Sequence, residues 1–139
     1  MKPIIVERNI NTNLASAWRA ITVQEEMIQW YFDNIPDFKA EVGFETGFNV
    51  QAPSRDFYHL WKVTKVVPNK MISYTWNYTD IQGESVSTFE ISEEKEGIKL
   101  MLTCVGLENL PQDIPEFSRE SCTGGWNYFL DRLKNYLEE

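Results

Sequence analysis

Apolar residues recur with two different periods along the chain, and the switch between them marks out the elements. In residues 3 to 10, PIIVERNI, the side chains of Ile4, Val6 and Ile10 share one parity, with Arg8 interrupting, which predicts a half-buried strand. The period then changes to that of a helix. Asn13 is a candidate N-cap, and Leu14, Ala17, Trp18 and Ile21 fall at i, i+3, i+4 and i+7, one apolar stripe of a short helix. Thr22 with Glu25 three residues on has the capping-box pattern and predicts a second short helix that buries Val23, Met27, Trp30 and Tyr31.

From Pro36 to about Gly106 the helical period is gone. Short β-rich runs are separated by turn signals at Gly43, Gly47, Pro53-Ser54, Pro68-Asn69, Gln82-Gly83 and Glu96-Gly97, which predicts a meander of antiparallel strands. The clearest run is MISYTWNY, residues 71 to 78, with Ile72, Tyr74, Trp76 and Tyr78 on one face. SVSTFEI, residues 85 to 91, follows with Gly83 in the turn before it, and IKLMLTCV places Ile98, Leu100, Leu102 and Cys104 on one face. After a loop with Pro111 and Pro115, helical spacing returns. Cys122, Trp126, Phe129, Leu130, Leu133 and Leu137 form a stripe from about Glu116 to Leu137, a helix of about 22 residues.

Strand, two short helices, a run of strands and a long terminal helix together predict an α+β fold. A curved antiparallel sheet of about six strands must cover its apolar face, and the terminal helix is the only element long enough to do so. With 139 residues, no repeat and no linker, a single domain over residues 1–139 is expected, large enough to bury a real core.

Composition adds two constraints. Five Trp, six Tyr and eight Phe, 14% of the chain, are a heavy load of rings that must be packed. Formal charge is 13 minus 21, or −8, without a Lys/Arg cluster, so a nucleic-acid or anionic-lipid partner is not expected. Glu7 and Arg8 interrupt the start where a signal peptide would be apolar, and no run of about 18 apolar residues exists, so a cytoplasmic protein without membrane insertion is expected. The sequon Asn77-Tyr78-Thr79 matters only in a secreted protein.

Little of the candidate chemistry forms a constellation. Cys104 and Cys122 fit no CxxC spacing and read as buried reduced thiols, with a disulfide as the alternative. His59 is the only histidine, which leaves no multi-histidine metal site, and a His59–cysteine couple has no orienting third group. No cofactor, metal or catalytic residue is therefore expected, and a non-enzymatic protein is. Gly124-Gly125 lacks the rest of a phosphate loop and lies in a helical pattern. There it costs about 1 kcal/mol against Ala, so a close approach of helix to sheet or cavity wall is expected. Glu93, Glu94 and Glu96 read as a solvated turn, as do Glu138 and Glu139 at the end of the chain.

INTNLASAWRAIT with the Glu and Trp that follow, GGWNYFLDRLKNYLEE at the end, and VTKVVPNKMISYTW between them resemble the activator of heat-shock protein 90 ATPase homologue-like family, a START-like (SRPBCC), birch-pollen-allergen-like group. Val63, Val66, Pro68, Asn69, Ile72, Tyr74 and Trp76 stand in the matching places, and VSTFEI with GIKLMLT resembles the next hairpin. EVGFETGFNVQAPSRDFYHLW departs from the family's Gly-rich hairpin in its aromatic and polar content. The resemblance implies a helix-grip fold, in which a bent sheet wraps the C-terminal helix around a ligand cavity.

On that fold the sheet face with Tyr74 and Trp76 and the helix stripe with Cys122, Trp126 and Phe129 would line one enclosed space. Trp30 and Phe89 would add apolar wall, and Tyr74, Tyr128, Arg119 and Asn49 polar tips. The candidate ligand-binding set is thus Trp30, Asn49, Tyr74, Trp76, Phe89, Arg119, Cys122, Trp126 and Phe129, for a small apolar or amphipathic molecule, lipids included. The family name implies a second role, binding a chaperone in the stress response and modulating its ATPase. The eukaryotic activators carry an additional N-terminal domain that this chain lacks, which favours the ligand. A third role, a START-like cyclase or hydrolase, has only His59, Arg119 and Glu120 as raw material.

Overall fold

The structure is a computed structural model that describes residues 2–139. The chain runs β1 (Ile4–Ile10), α1 (Leu14–Thr22), α2 (Gln24–Trp30), β2 (Glu45–Gln51), β3 (Asp56–Val67), β4 (Met71–Tyr78), β5 (Ile81–Glu93) and β6 (Ile98–Val105), and ends in α3 (Arg119–Glu138). Single 3-10 turns at Leu107–Asn109 and Pro115–Phe117 bridge β6 and α3. All six strands join one antiparallel sheet in the order β1-β6-β5-β4-β3-β2. The architecture is the α+β helix grip that the element order and the resemblance implied.

β1 closes the sheet by pairing with the distant β6, Ile4 opposite Cys104 and Ile10 opposite Ile98. Its odd residue, Arg8, has a structural reason. From an inward-parity position it reaches α3, donating to Asp131 Oδ1 at 2.9 Å and to Asn127 Oδ1 at 2.7 Å. Asn13 caps α1 by accepting from the Ser16 amide at 2.8 Å.

Three local expectations are corrected. Thr22 does not cap α2; it is the last residue of α1, its hydroxyl donates to the Trp18 carbonyl, and Val23 takes the cap position without a side-chain bond. A one-residue break leaves no room for a capping box. Gly83 is not in a turn but within β5, because Asp80, at φ 64°, turns the chain three residues earlier. A Cβ on Gly83 would lie 2.1 Å from the Asn109 carbonyl oxygen, so this glycine admits the 3-10 turn after β6. Finally, α3 starts at Arg119 rather than Glu116, since Ser118 caps it by accepting from the Ser121 amide at 3.1 Å.

The core is a mass of rings. Tyr31, just beyond α2, stacks on Trp30 with ring centres 4.4 Å apart and touches Trp61, Phe89, Trp126 and Phe129 at 5.0 to 6.3 Å. Arg132 of α3 holds this junction by donating to the Gln29 and Tyr31 carbonyls. Aromatic packing thus fills the middle of the grip solidly.

Candidate functional site

Beside that mass the inward positions turn small. Ser85 and Ser87 on β5 share the parity of Phe89 and Ile91, and across β6 and α3 stand Cys104, Cys122 and Gly125. Small side chains facing one another cannot fill the space between sheet and helix, and a cavity of about 120 Å³ remains. Trp76, Tyr78, Trp126 and Phe129 form its aromatic walls, and Leu107, Leu110 and Phe117 from the bridge to α3 complete it. The bridge is held in place: Gln112 Nε2 donates to the Leu107 and Leu110 carbonyls, and Glu116 accepts from the Ser54 amide and hydroxyl at 3.0 and 2.6 Å. Wider hollows of about 340 and 590 Å³ lie elsewhere, lined by Lys70, Glu90 and Lys99 and by Glu45, Lys62 and Glu84.

No Asp, Glu, Lys or Arg lines the cavity. Burial pushes the Cys122 thiol up to about 11 and raises the Cys104 thiol and the Tyr78 phenol, so all three are neutral at physiological pH. Both cysteines are free thiols, the first expectation for them. Among the described residues three buried side-chain polar atoms lack a hydrogen-bond partner, and two of them, Trp76 Nε1 and Ser87 Oγ, belong to residues of this lining.

The nine candidate residues separate into three groups. Trp76, Cys122, Trp126 and Phe129 come together around the cavity. Trp30, Tyr74 and Phe89 share the inner side but are sealed in solid core: the Trp30 indole donates to the Ala20 carbonyl at 2.8 Å, and the Tyr74 hydroxyl bonds Tyr31. Asn49 and Arg119 are exposed. Asn49 lies on the edge strand β2 beside Asp56, and Arg119 holds the start of the chain through the Lys2 and Pro3 carbonyls. Tyr128 is also outside, 60% exposed with Arg132 over its ring. The expected polar tips therefore do not reach the cavity; Ser85 and Ser87 stand there instead. A serine at an inward strand position is their only signal in the sequence, and parity alone could have raised it.

Gly124 and Gly125 meet their expectation only in part. A Cβ on either would meet nothing within 4 Å, so neither marks a close approach of backbones; Gly125 instead borders the cavity. His59 is buried on β3, stacked on Phe48 at 5.2 Å, with Nδ1 3.0 Å from the Phe57 carbonyl. It is absent from the cavity lining, and burial lowers its pKa to about 4.

Among the described residues no cluster of His, Cys, Asp and Glu could hold a metal ion, and no helix is long and apolar enough to cross a membrane.

Comparison with known proteins places this geometry in a family. The profile described as Activator of Hsp90 ATPase homolog 1-like protein matches residues 11–138. A protein from Mesorhizobium loti is 30% identical, with 98% of this chain and 96% of that one aligned at a TM-score of 0.75. A Chromobacterium violaceum protein superposes at a TM-score of 0.83 with 20% identity over 99% and 97% of the two chains. An Aha1 from Colwellia psychrerythraea, solved as a dimer, does so at 0.77 with 19% identity over 99% and 97%. No curated protein matches the chain.

Proposed function

The chain belongs to the Activator of Hsp90 ATPase homolog 1-like family, and on that premise we propose that it is a non-enzymatic binding module for a small, uncharged, mainly apolar molecule held between the sheet and α3. The observation that carries this reading is the uncharged cavity of about 120 Å³ bounded by Ser85, Ser87, Cys104, Cys122 and Gly125. The space is partly open, so leaving it unfilled costs less than a sealed cavity of that volume, for which core truncations give on the order of 3 kcal/mol. Larger residues at any of these positions would recover much of it, and an occupant recovers it reversibly. A dry apolar cavity of comparable size admits a molecule such as benzene, so the occupant is about one ring in size.

The reading is non-enzymatic because the cavity lacks an acid–base pair: its titratable groups are thiols and a phenol raised by burial. A chaperone-binding role comes with the family's description alone. The large exposed apolar side chains, Ile5, Val42, Tyr58, Leu60, Val67, Val105 and Tyr128, are spread over β1, the loop before β2, β3, β6 and α3, as ordinary surfaces are.

Native mass spectrometry of gently purified protein, followed by denaturing extraction, tests the proposal. A stoichiometric small-molecule adduct supports it. A bare mass that stays bare when one-ring hydrophobes are added in excess overturns it.

A further inference from the structure

Trp76 Nε1 and Ser87 Oγ are buried and make no hydrogen bond of full geometry within the protein, the Tyr78 hydroxyl and the Cys104 thiol approaching them without one, and both belong to residues of the same cavity lining. Ser87 is 0% and Trp76 7% exposed. On the β4–β5 ladder Trp76 is opposite Ser85 and Tyr74 is opposite Ser87, so Trp76 and Ser87 are diagonal neighbours on the inner face. Tyr74 does not serve either of them, since its hydroxyl is engaged by Tyr31. An indole N–H can only donate, and a serine hydroxyl can donate as well. Buried donors left unsatisfied are costly, so the complementary occupant brings an acceptor.

Charge restricts that acceptor. A carboxylate or phosphate entering this space would lose its hydration and meet no Lys or Arg in the lining. A carbonyl oxygen, neutral and with two lone pairs, accepts from both donors. Resting on the ligand-binding reading above, we infer that the cavity takes an uncharged, one-ring molecule bearing a carbonyl oxygen, which accepts from the Trp76 indole and the Ser87 hydroxyl.

Two probes of one shape separate this inference from the reading beneath it: cyclopentanone, and methylenecyclopentane, in which a CH₂ replaces the oxygen. Each is titrated into ¹⁵N-labelled protein while the Trp76 indole N–H resonance, assigned with Trp76→Phe, is followed. Cyclopentanone is expected to move that proton downfield. Ser87→Ala, which removes a hydroxyl that makes no full hydrogen bond within the protein, is expected to weaken cyclopentanone about tenfold, with methylenecyclopentane unchanged within about a factor of two. Equal effects of Ser87→Ala on both probes, or binding of the hydrocarbon alone, would overturn the carbonyl inference and leave the cavity a ligand site. Failure of both probes to bind would overturn the ligand site as well.

Discussion

The hydroxyls of Tyr31 and Tyr74 meet at 2.9 Å inside the aromatic core, one residue from the end of α2 and the other from β4. Each satisfies the other, and burial first of all drives both phenols above their ordinary pKa. The bond fastens the helical layer to the sheet and keeps Tyr74 out of the cavity. Tyr31→Phe or Tyr74→Phe alone strands one buried hydroxyl and is expected to cost about 1–3 kcal/mol. The double variant should cost less than the sum in a urea-unfolding cycle; strict additivity would show the two hydroxyls to be uncoupled.

His59 is expected to make stability fall in mild acid. Its folded pKa, about 4, lies below the ordinary 6.5, so the unfolded chain binds the extra proton and unfolding gains as pH drops from 6.5 toward 4. Across that window the histidine's contribution is on the order of 3 kcal/mol. The loss of unfolding free energy between pH 7 and pH 4 should be smaller by about that amount in His59→Phe. Parallel pH profiles for the two proteins would assign acid sensitivity to the carboxylates.

Gly124 and Gly125 are predicted to respond alike to alanine and differently to leucine. With open space at both Cβ positions, Gly124→Ala and Gly125→Ala should each raise stability by up to about 1 kcal/mol. Gly125→Leu projects into the cavity and should abolish binding of ring probes while the protein stays folded, whereas Gly124→Leu should leave binding intact. Equal binding by both leucine variants would place the ligand elsewhere.

Cys122, pushed up to about 11 by burial, is roughly a thousandth thiolate at pH 8, so its alkylation by iodoacetamide should be far slower than that of a free thiol. A bound ring probe should slow it further. Rapid modification in the folded protein, timed by mass spectrometry, would contradict the burial of this face of α3.

Arg119 serves the fold rather than the cavity. Arg119→Ala removes its bonds to the Lys2 and Pro3 carbonyls and, at an exposed site, should cost no more than about 1 kcal/mol. Ring-probe affinity should not change; a large loss would return Arg119 to the ligand site.

Periodicity in the chain determined most of the architecture. The alternation in β4 and β6 and the stripe of α3 are consequences of which side chains must leave water, and each can be read one segment at a time. The capping box at Thr22 and the turn at Gly83 misled because cap and turn patterns are short. Where an adjacent helix or a neighbouring loop competes for the same residue, the tertiary contact wins, as the Asn109 carbonyl does over Gly83. The division between solid core and cavity lay beyond the sequence for a different reason. Parity says that Tyr74, Trp76, Ser87 and Phe89 face inward, but which of them meets a ring and which meets open space depends on volumes summed over β4, β5, β6, α3 and the bridge before it. Tyr31 fills the space beside Tyr74, while Cys104, Cys122 and Gly125 leave it unfilled beside Ser87. Only the folded chain brings those distant residues to the same place.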